Sequence, residues 1–405
     1  MTLKIAVVAS GNIPSKWANS INTMRHANAF NQLGHNVRVI SVLRYMQKKE
    51  LQKISSLWDY YGVDPMSIFF EKDQSLNYFN AITFVRFLTR VLNKLSFGRF
   101  AYVLDPELSI SNKLSDQAVD FCYARSYRVV GYNIENKIPT IMETHNSLPE
   151  KSKDLMAVLR QSNSSYLVSI VTIHEKIKAK LIALGVEGSK VIVLEDAVDK
   201  ERFDAVTNDK VPHRKIFGIP KDRKVVGYLG SLKPGKAIHK ILETARLCKN
   251  PDVLFVIAGG EQAEVDRWKE NALYRKENTL FLGFLEGKYG PAFLKACDIL
   301  FMPYDLKESG TVMDLETTSP IKLFEYMAAK RPIVTTKIPV IEKVLEDFQD
   351  GVLVSDNDYM GAISMLIENE KFSSQLAENA LAKSARFTYV ERCKKILASL
   401  NQYEK

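Results

Sequence analysis

Thr317-Thr318-Ser319-Pro320-Ile321-Lys322-Leu323-Phe324-Glu325-Tyr326-Met327-Ala328 reads as the opening of a helix. Ser319 is a good N-cap, because its hydroxyl can accept from the first unpaired N–H groups. Pro320 suits the first helical position, where a missing N–H costs nothing. Apolar runs of strand length lie on either side: Ile299–Met302 upstream, beyond a loop-like stretch from Pro303 to Pro320, and Ile333–Thr335 downstream. Strand, helix and strand in that order predict a βαβ unit and a parallel sheet. Ligands of such sheets bind beyond the carboxyl ends of the strands, where helix N-termini offer N–H groups and a positive dipole end that suit a diphosphate. Lys322 and Glu325 are three apart and share a helix face, with Glu325 placed to accept hydrogen bonds from a ribose about one turn deeper. An exposed Lys–Glu pair on an amphipathic helix is the plainer alternative.

The same rhythm extends outward in both directions. Val225–Leu229, Val253–Ala258, Thr279–Leu282 and Val352–Val354 are further strands of this half, with helices at Lys236–Cys248, Ala263–Asn271, Ala292–Ala296 and Ile321–Ala329. Towards the amino terminus, Lys4–Ala9, Val37–Val42, Thr140–Glu143, Tyr166–Ile173 and Val191–Leu194 form a second series, with a helix through Met24–Leu33 that stops at Gly34. Between the series, Asp199–Arg223 is polar and carries Pro212 and Pro220, which places a linker near Phe203–Pro220. The expectation is an α/β protein with two doubly wound, Rossmann-like domains facing a cleft. Residues 1–205 form the first domain and 206–380 the second, and a C-terminal helix in 381–405 packs back on the first.

A chain of 405 residues exceeds what one core usually supports, which agrees with two domains. No run approaches the roughly 20 apolar residues of a membrane-spanning helix, and Met1–Ile5 enters a strand directly, without the regions of a signal peptide. Cys122, Cys248, Cys297 and Cys393 are scattered without a CxxC pair, which speaks against a disulfide framework or a zinc site and suits a reducing cytoplasm. The net charge of +9 leans towards anionic partners. With no nucleic-acid module in view, those are nucleotide phosphates or an anionic membrane surface rather than nucleic acid.

Four other segments could carry chemistry. Val226–Lys236 is a strand running into a Gly-rich turn with Gly230, Ser231, Lys233 and Lys236, a plausible anion cradle or an ordinary tight βα turn. Ser10–Asn22 is a polar loop after the first strand, where Gly11 permits close backbone approach and Asn19, Ser20 and Asn22 offer hydrogen bonds to an acceptor or a phosphate; a merely structural connection is the alternative. His145 follows the strand Thr140–Glu143 and could donate to a sugar hydroxyl, with His174 a second candidate. In Phe69–Leu104, Arg86, Arg90 and Lys94 recur every four residues among aromatics, which suits a helix lying on an anionic membrane or packed on a sheet. Asp356-Asn357-Asp358 is the one close acidic triplet, better explained by helix capping than by a metal, and no metal is expected.

Ser319-Pro320-Ile321-Lys322-Leu323-Phe324-Glu325-Tyr326-Met327-Ala328, followed by Arg331-Pro332-Ile333-Val334, resembles the donor-site signature of family 4 glycosyltransferases, which have the GT-B fold. Val226–Lys236, Phe255–Gly260, Ala296–Tyr304, Leu194–Asp199 and the opening loop with Leu33-Gly34-His35 are similar to other parts of that family. The resemblance implies a retaining, metal-independent transfer from a nucleoside diphosphate sugar to a hydroxyl acceptor, in glycan or glycolipid assembly. It implies that Lys236, Lys322 and N–H groups near Gly230, Ser319 and Pro320 face the diphosphate, that Glu325 holds the ribose and that His145 contacts the donor sugar. Thr317 stands where the family has an earlier glutamate, and Ser231 where many members have an arginine. No cofactor is implied. The acceptor would be a glycan or lipid-linked glycan, and the protein would be cytoplasmic, peripheral on the inner face of the membrane. A nucleotide-sugar epimerase of the same fold, or a catalytically decayed glycan- or membrane-binding protein, are the alternatives.

Overall fold

The computed structural model describes residues 1–15, 17–43, 51–72, 105–305, 321–355 and 357–400. The chain divides into two compact units: Met1–Glu195 together with Tyr389–Lys405, and Asp196–Thr388. The division falls at Glu195/Asp196 rather than after 205, and the stretch expected as linker lies inside the second unit. It contains helices at Lys200–Asp204 and Lys210–Phe217. Its prolines mislead: Pro212 sits in the first turn of its helix, where no intrahelical N–H is needed. The second unit also runs on to Thr388, past 380, and only the final helix, Tyr389–Ala398, joins the first.

Unit 1 holds β1 (Lys4–Val8), α1 (Ala18–Gln32), β2 (Asn36–Leu43), β3 (Ser67–Lys72), α2 (Pro106–Asp116), β4 (Phe121–Ala124), α3 (Tyr127–Glu135), β5 (Thr140–Glu143), β6 (Leu167–Thr172), α4 (Glu175–Ala183) and β7 (Val191–Val193). The strands pair in parallel in the order β3-β2-β1-β4-β5-β6-β7. Two of them escaped sequence reading. β4 is four buried residues with no alternation, as expected of a strand covered on both faces, and β3 overlaps the start of the aromatic-rich region Phe69–Leu104, in which the helical recurrence is that of Arg86, Arg90 and Lys94. The basic positions Arg86, Arg90 and Lys94 lie outside the described residues.

Unit 2 holds α5 (Lys210–Phe217), β8 (Lys224–Leu229), α6 (Ile238–Leu247), β9 (Val253–Ala258), α7 (Gln262–Lys269), β10 (Thr279–Gly283), α8 (Gly290–Ala296), β11 (Ile299–Met302), α9 (Ile321–Ala328), β12 (Ile333–Thr336), β13 (Val352–Val354), α10 (Tyr359–Glu368) and α11 (Glu370–Ser384). All six expected strands are present, in parallel order β10-β9-β8-β11-β12-β13. On β9, Leu254, Val256 and Ala258 face one apolar layer while Val253, Phe255 and Ile257 face the other, the period-two consequence of a strand between two layers of helices. In both sheets the order reverses beside the first strand, between β1 and β4 and between β8 and β11. Loops after those strands open a crevice at the carboxyl ends. The last helix, α12 (Tyr389–Ala398), packs on α1 in unit 1.

Candidate active site

In unit 2 the crevice is built by β8, its following loop and α9. The Leu229 N–H at the end of β8 donates to the buried Tyr326 hydroxyl of α9 at 2.9 Å, which fixes the helix against the strand end. The Gly230 N–H donates to the Ala258 carbonyl, and Trp268 Nε1–H to the Leu232 carbonyl, so both ends of the turn are held. Gly259 has φ +123°, and a Cβ there would lie 1.9 Å from the Gly230 carbonyl oxygen. Only glycine allows two such loops to touch.

Lys322 stands over this turn. Its Nζ lies 4.5 Å from the centroid of the Tyr228 ring and donates to the Tyr228 hydroxyl at 3.1 Å, which in turn donates to the Ser231 carbonyl. Burial lowers the Lys322 pKa to about 8, with the nearby Glu325 carboxylate offsetting part of the effect. Burial also lowers the pKa of Lys236, and the positive charge of Lys322 adds to this. Two ammonium groups that burial disfavours, set beside a glycine turn, form a place where an added anion is stabilising. Lys236, Lys322, Glu325, Gly230 and Ser231 are thus brought together. Ser231 accepts through its Oγ from the Lys233 N–H. Thr317, Ser319 and Pro320 lie outside the described residues.

One pair near this crevice went unread in the sequence. His239, in the first turn of α6, pairs with Asp305, just beyond β11, at 2.7 Å. It ties the start of α6 to the loop after β11, on the two sides of the reversal of strand order. Asp358 caps α10 by accepting from the Gly361 N–H, and Asp356 lies outside the described residues.

The opening loop of unit 1 corrects two expectations. Ser20 and Asn22 are buried, at 1% exposure each, and serve the fold. Ser20 donates to the Asn12 carbonyl, and the Asn22 carboxamide accepts from the Tyr389 hydroxyl of α12. They face inward because α1 is buried along most of its length. Asn19 donates to Ser10 at 2.6 Å, and a Cβ on Gly11 would meet Asn19 and Ser20 at 3.3 Å each. The cavity at Gly11 measures about 20 Å³, room for roughly one water. His174 also proves structural, capping α4 by accepting from the Lys176 N–H.

His145 follows β5 and is partly exposed. Its Nε2–H donates to the Glu143 carboxylate, which makes Nδ1 the accepting nitrogen of the neutral ring. Glu143 is fully buried and also accepts from the Tyr123 hydroxyl and, at 3.1 Å, from Arg392 of α12. Burial pushes the Glu143 pKa up, but the Arg392 charge and the hydrogen bond from His145 outweigh it and hold the carboxyl well below the usual range. His26 is neutral: burial brings its pKa to about 4. Its Nδ1–H donates to the Asn22 carbonyl, and its Nε2 accepts from Arg392 Nε at 2.9 Å. Glu143 ends β5 and His145 stands two residues beyond it, and that spacing of two is the one signal by which Glu143 could have been read from sequence.

Residues 209–383, within the second unit, match the model of the family glycosyl transferases group 1, and the two parallel-sheet units have the GT-B fold. The chain is 31% identical over 219 residues to TuaH of Bacillus subtilis (strain 168), provisionally named a glycosyltransferase of teichuronic acid biosynthesis, covering 54% of this chain and 51% of that protein. It is 26% identical over 237 residues to the UDP-Gal:alpha-D-GlcNAc-diphosphoundecaprenol alpha-1,3-galactosyltransferase of Escherichia coli, covering 56% and 58%. The chain spans about half the length of these curated relatives. Among solved structures, Alr3699/HepE of Anabaena in complex with UDP and glucose superposes with a TM-score of 0.68 at 18% identity, covering 98% of this chain and 99% of that one.

Proposed function

We propose that the protein is a retaining, metal-independent glycosyltransferase that moves a sugar from a nucleoside diphosphate sugar to a hydroxyl of a glycan or lipid-linked acceptor. The observation that carries this is the pair Lys236 and Lys322 at the strand-order reversal of a domain matching the glycosyl transferase family. In the reaction the bond from the anomeric carbon to the diphosphate oxygen breaks, and a bond to the acceptor oxygen forms on the same face. The acceptor proton passes to the departing diphosphate. Lys236 and Lys322 stabilise the charge that grows on the leaving group, a preorganised electrostatic contribution of the kind that dominates many enzymes. Glu325 accepts from the ribose, and His145 accepts at Nδ1 from a hydroxyl of the transferred sugar.

Uridine is the base to try first, since the HepE complexes hold UDP and the Escherichia coli relative is named for UDP-Gal. The acceptor class follows the same relative, whose acceptor is diphosphoundecaprenol-linked. We place the reaction at the inner face of the membrane, with the net charge of +9 drawing the chain to an anionic surface. Among the described residues no helix is long and apolar enough to cross a membrane. The test is release of nucleoside diphosphate from a panel of donors in EDTA, with and without lipid-linked acceptors. Acceptor-dependent release that Glu325→Ala lowers by about tenfold or more is expected, as for loss of a hydrogen-bonded charge. Interconversion of donor sugars without acceptor would replace transfer with epimerisation, and release unaffected by Glu325→Ala would remove the site assignment.

A further inference from the structure

We propose that Arg392 is a positioning residue for the transfer reaction: reaching from the last helix, it holds Glu143 in place and so fixes the ring orientation and tautomer of His145. The inference rests on the proposed role of His145 and adds to it a residue from the far end of the chain. Arg392 is 4% exposed and spends its guanidinium within unit 1. Nη1 donates to the carbonyls of Leu194 and Glu195, Nε to His26 and Nη2 to Glu143. Those bonds set the plane of the fork, and the fork sets the carboxylate.

The charged and titratable groups around Glu143 come from every element packed on it. Tyr123 lies on β4, His26 on α1, Arg392 and Cys393 on α12, and His145 beyond β5 itself; Arg125, after β4, acts on His26. Arg392 is the one guanidinium among them bonded to the carboxylate. Without it, Glu143 is a buried carboxylate without its strongest counter-charge and is driven to take up a proton. A neutral carboxyl no longer requires a proton on His145 Nε2, so the ring can change tautomer and turn. An ionised Glu143 requires Nε2–H and leaves Nδ1 as the accepting nitrogen, one defined nitrogen for the sugar.

The experiment uses the full chain and reads two things. The imidazole 15N shifts of His145, assigned by comparison with His145→Gln, report its tautomer, and steady-state kinetics with the donor panel separate kcat from KM. The wild type is expected to hold His145 as the Nε2–H tautomer when neutral. Arg392→Met is expected to show mixed tautomers, with kcat lowered on the order of 10- to 100-fold and donor KM within about twofold, as when a reacting group is misplaced. Arg392→Lys is expected to recover most of both. Tyr389→Phe removes a bond of the same helix to Asn22 without touching Glu143, and is expected to leave the His145 spectrum unchanged. If Arg392→Met does not fold, Glu143→Gln, which keeps the shape and removes the charge, must give the mixed tautomers instead. An unchanged His145 spectrum in the folded variants, or an equal change in Tyr389→Phe, overturns the proposal. Absence of transfer by the wild type with every donor would overturn the proposed activity alone, because the tautomer measurement needs no turnover.

Discussion

Lys322 carries the pH dependence expected of the donor site. Its pKa is about 8, against the 10.5 of a free lysine, so part of the free protein has lost this charge just above neutrality. A bound diphosphate favours the ammonium form. Binding of UDP is therefore expected to take up a proton at pH 8 to 9, and affinity to fall as pH rises through that range. Calorimetry in buffers of different ionisation heat measures the uptake. Lys322→Met should reduce it and weaken binding by about 10- to 100-fold, the loss of a charge-assisted hydrogen bond. His26 works in the opposite pH region. Its folded pKa of about 4 lies below the ordinary 6.5, so between those values the unfolded chain binds more protons and stability falls as pH drops. The depressed carboxyl of Glu143 adds to the same acid loss. Stability is expected to fall from pH 6.5 to 4 by up to roughly 3 kcal/mol from His26, seen as a falling melting temperature, and His26→Gln should flatten that slope. At this scale Lys236, Lys322 and Glu325 were legible because their spacing lies within one turn and one helix. Arg392 and Glu143 were not, because 249 residues separate them and neither sits in a motif.

The donor crevice depends on two loops that touch at glycines. A Cβ on Gly259 would stand 1.9 Å from the Gly230 carbonyl, and the backbone there has φ +123°. Gly259→Ala is expected to cost roughly 2 kcal/mol or more and to remove the nucleotide-induced rise in melting temperature, which a thermal melt with and without UDP would show. Survival of that rise would mean that the turn does not shape the anion site. The strands of unit 2 were legible because each is an apolar run bounded by Gly, Pro or charge. β4 was missed because Phe121-Cys122-Tyr123-Ala124 is short and lacks alternation, and β3 because Ser67–Lys72 is a short mixed run leading into an aromatic-rich region with no strand rhythm. The opening loop misled for another reason. Polar residues at Ser20 and Asn22 look solvent-facing in sequence, yet their hydrogen bonds are made inside unit 1.

The whole chain is not two consecutive halves. Unit 1 is completed by Tyr389–Lys405, which arrives after all of unit 2. Removing residues 389–405 takes away Arg392, leaves Glu143 without its guanidinium and uncovers the face of α1 that carries Asn22 and His26. Loss of one partner of a buried ion pair costs about 3–5 kcal/mol. The truncated chain is expected to lose the protease resistance of unit 1 while unit 2 still melts later in the presence of UDP. A truncated chain with unit 1 unchanged would show that the last helix is dispensable.

Calorimetric titration of UDP, GDP and ADP into the wild type and into Lys322→Met, all in EDTA, tests the donor site most directly. One nucleotide, UDP first among them, is expected to bind the wild type without metal and to bind Lys322→Met at least about tenfold more weakly. Binding of none of the three, or equal binding to both proteins, would contradict the assignment of unit 2 as the domain that holds a nucleotide-sugar.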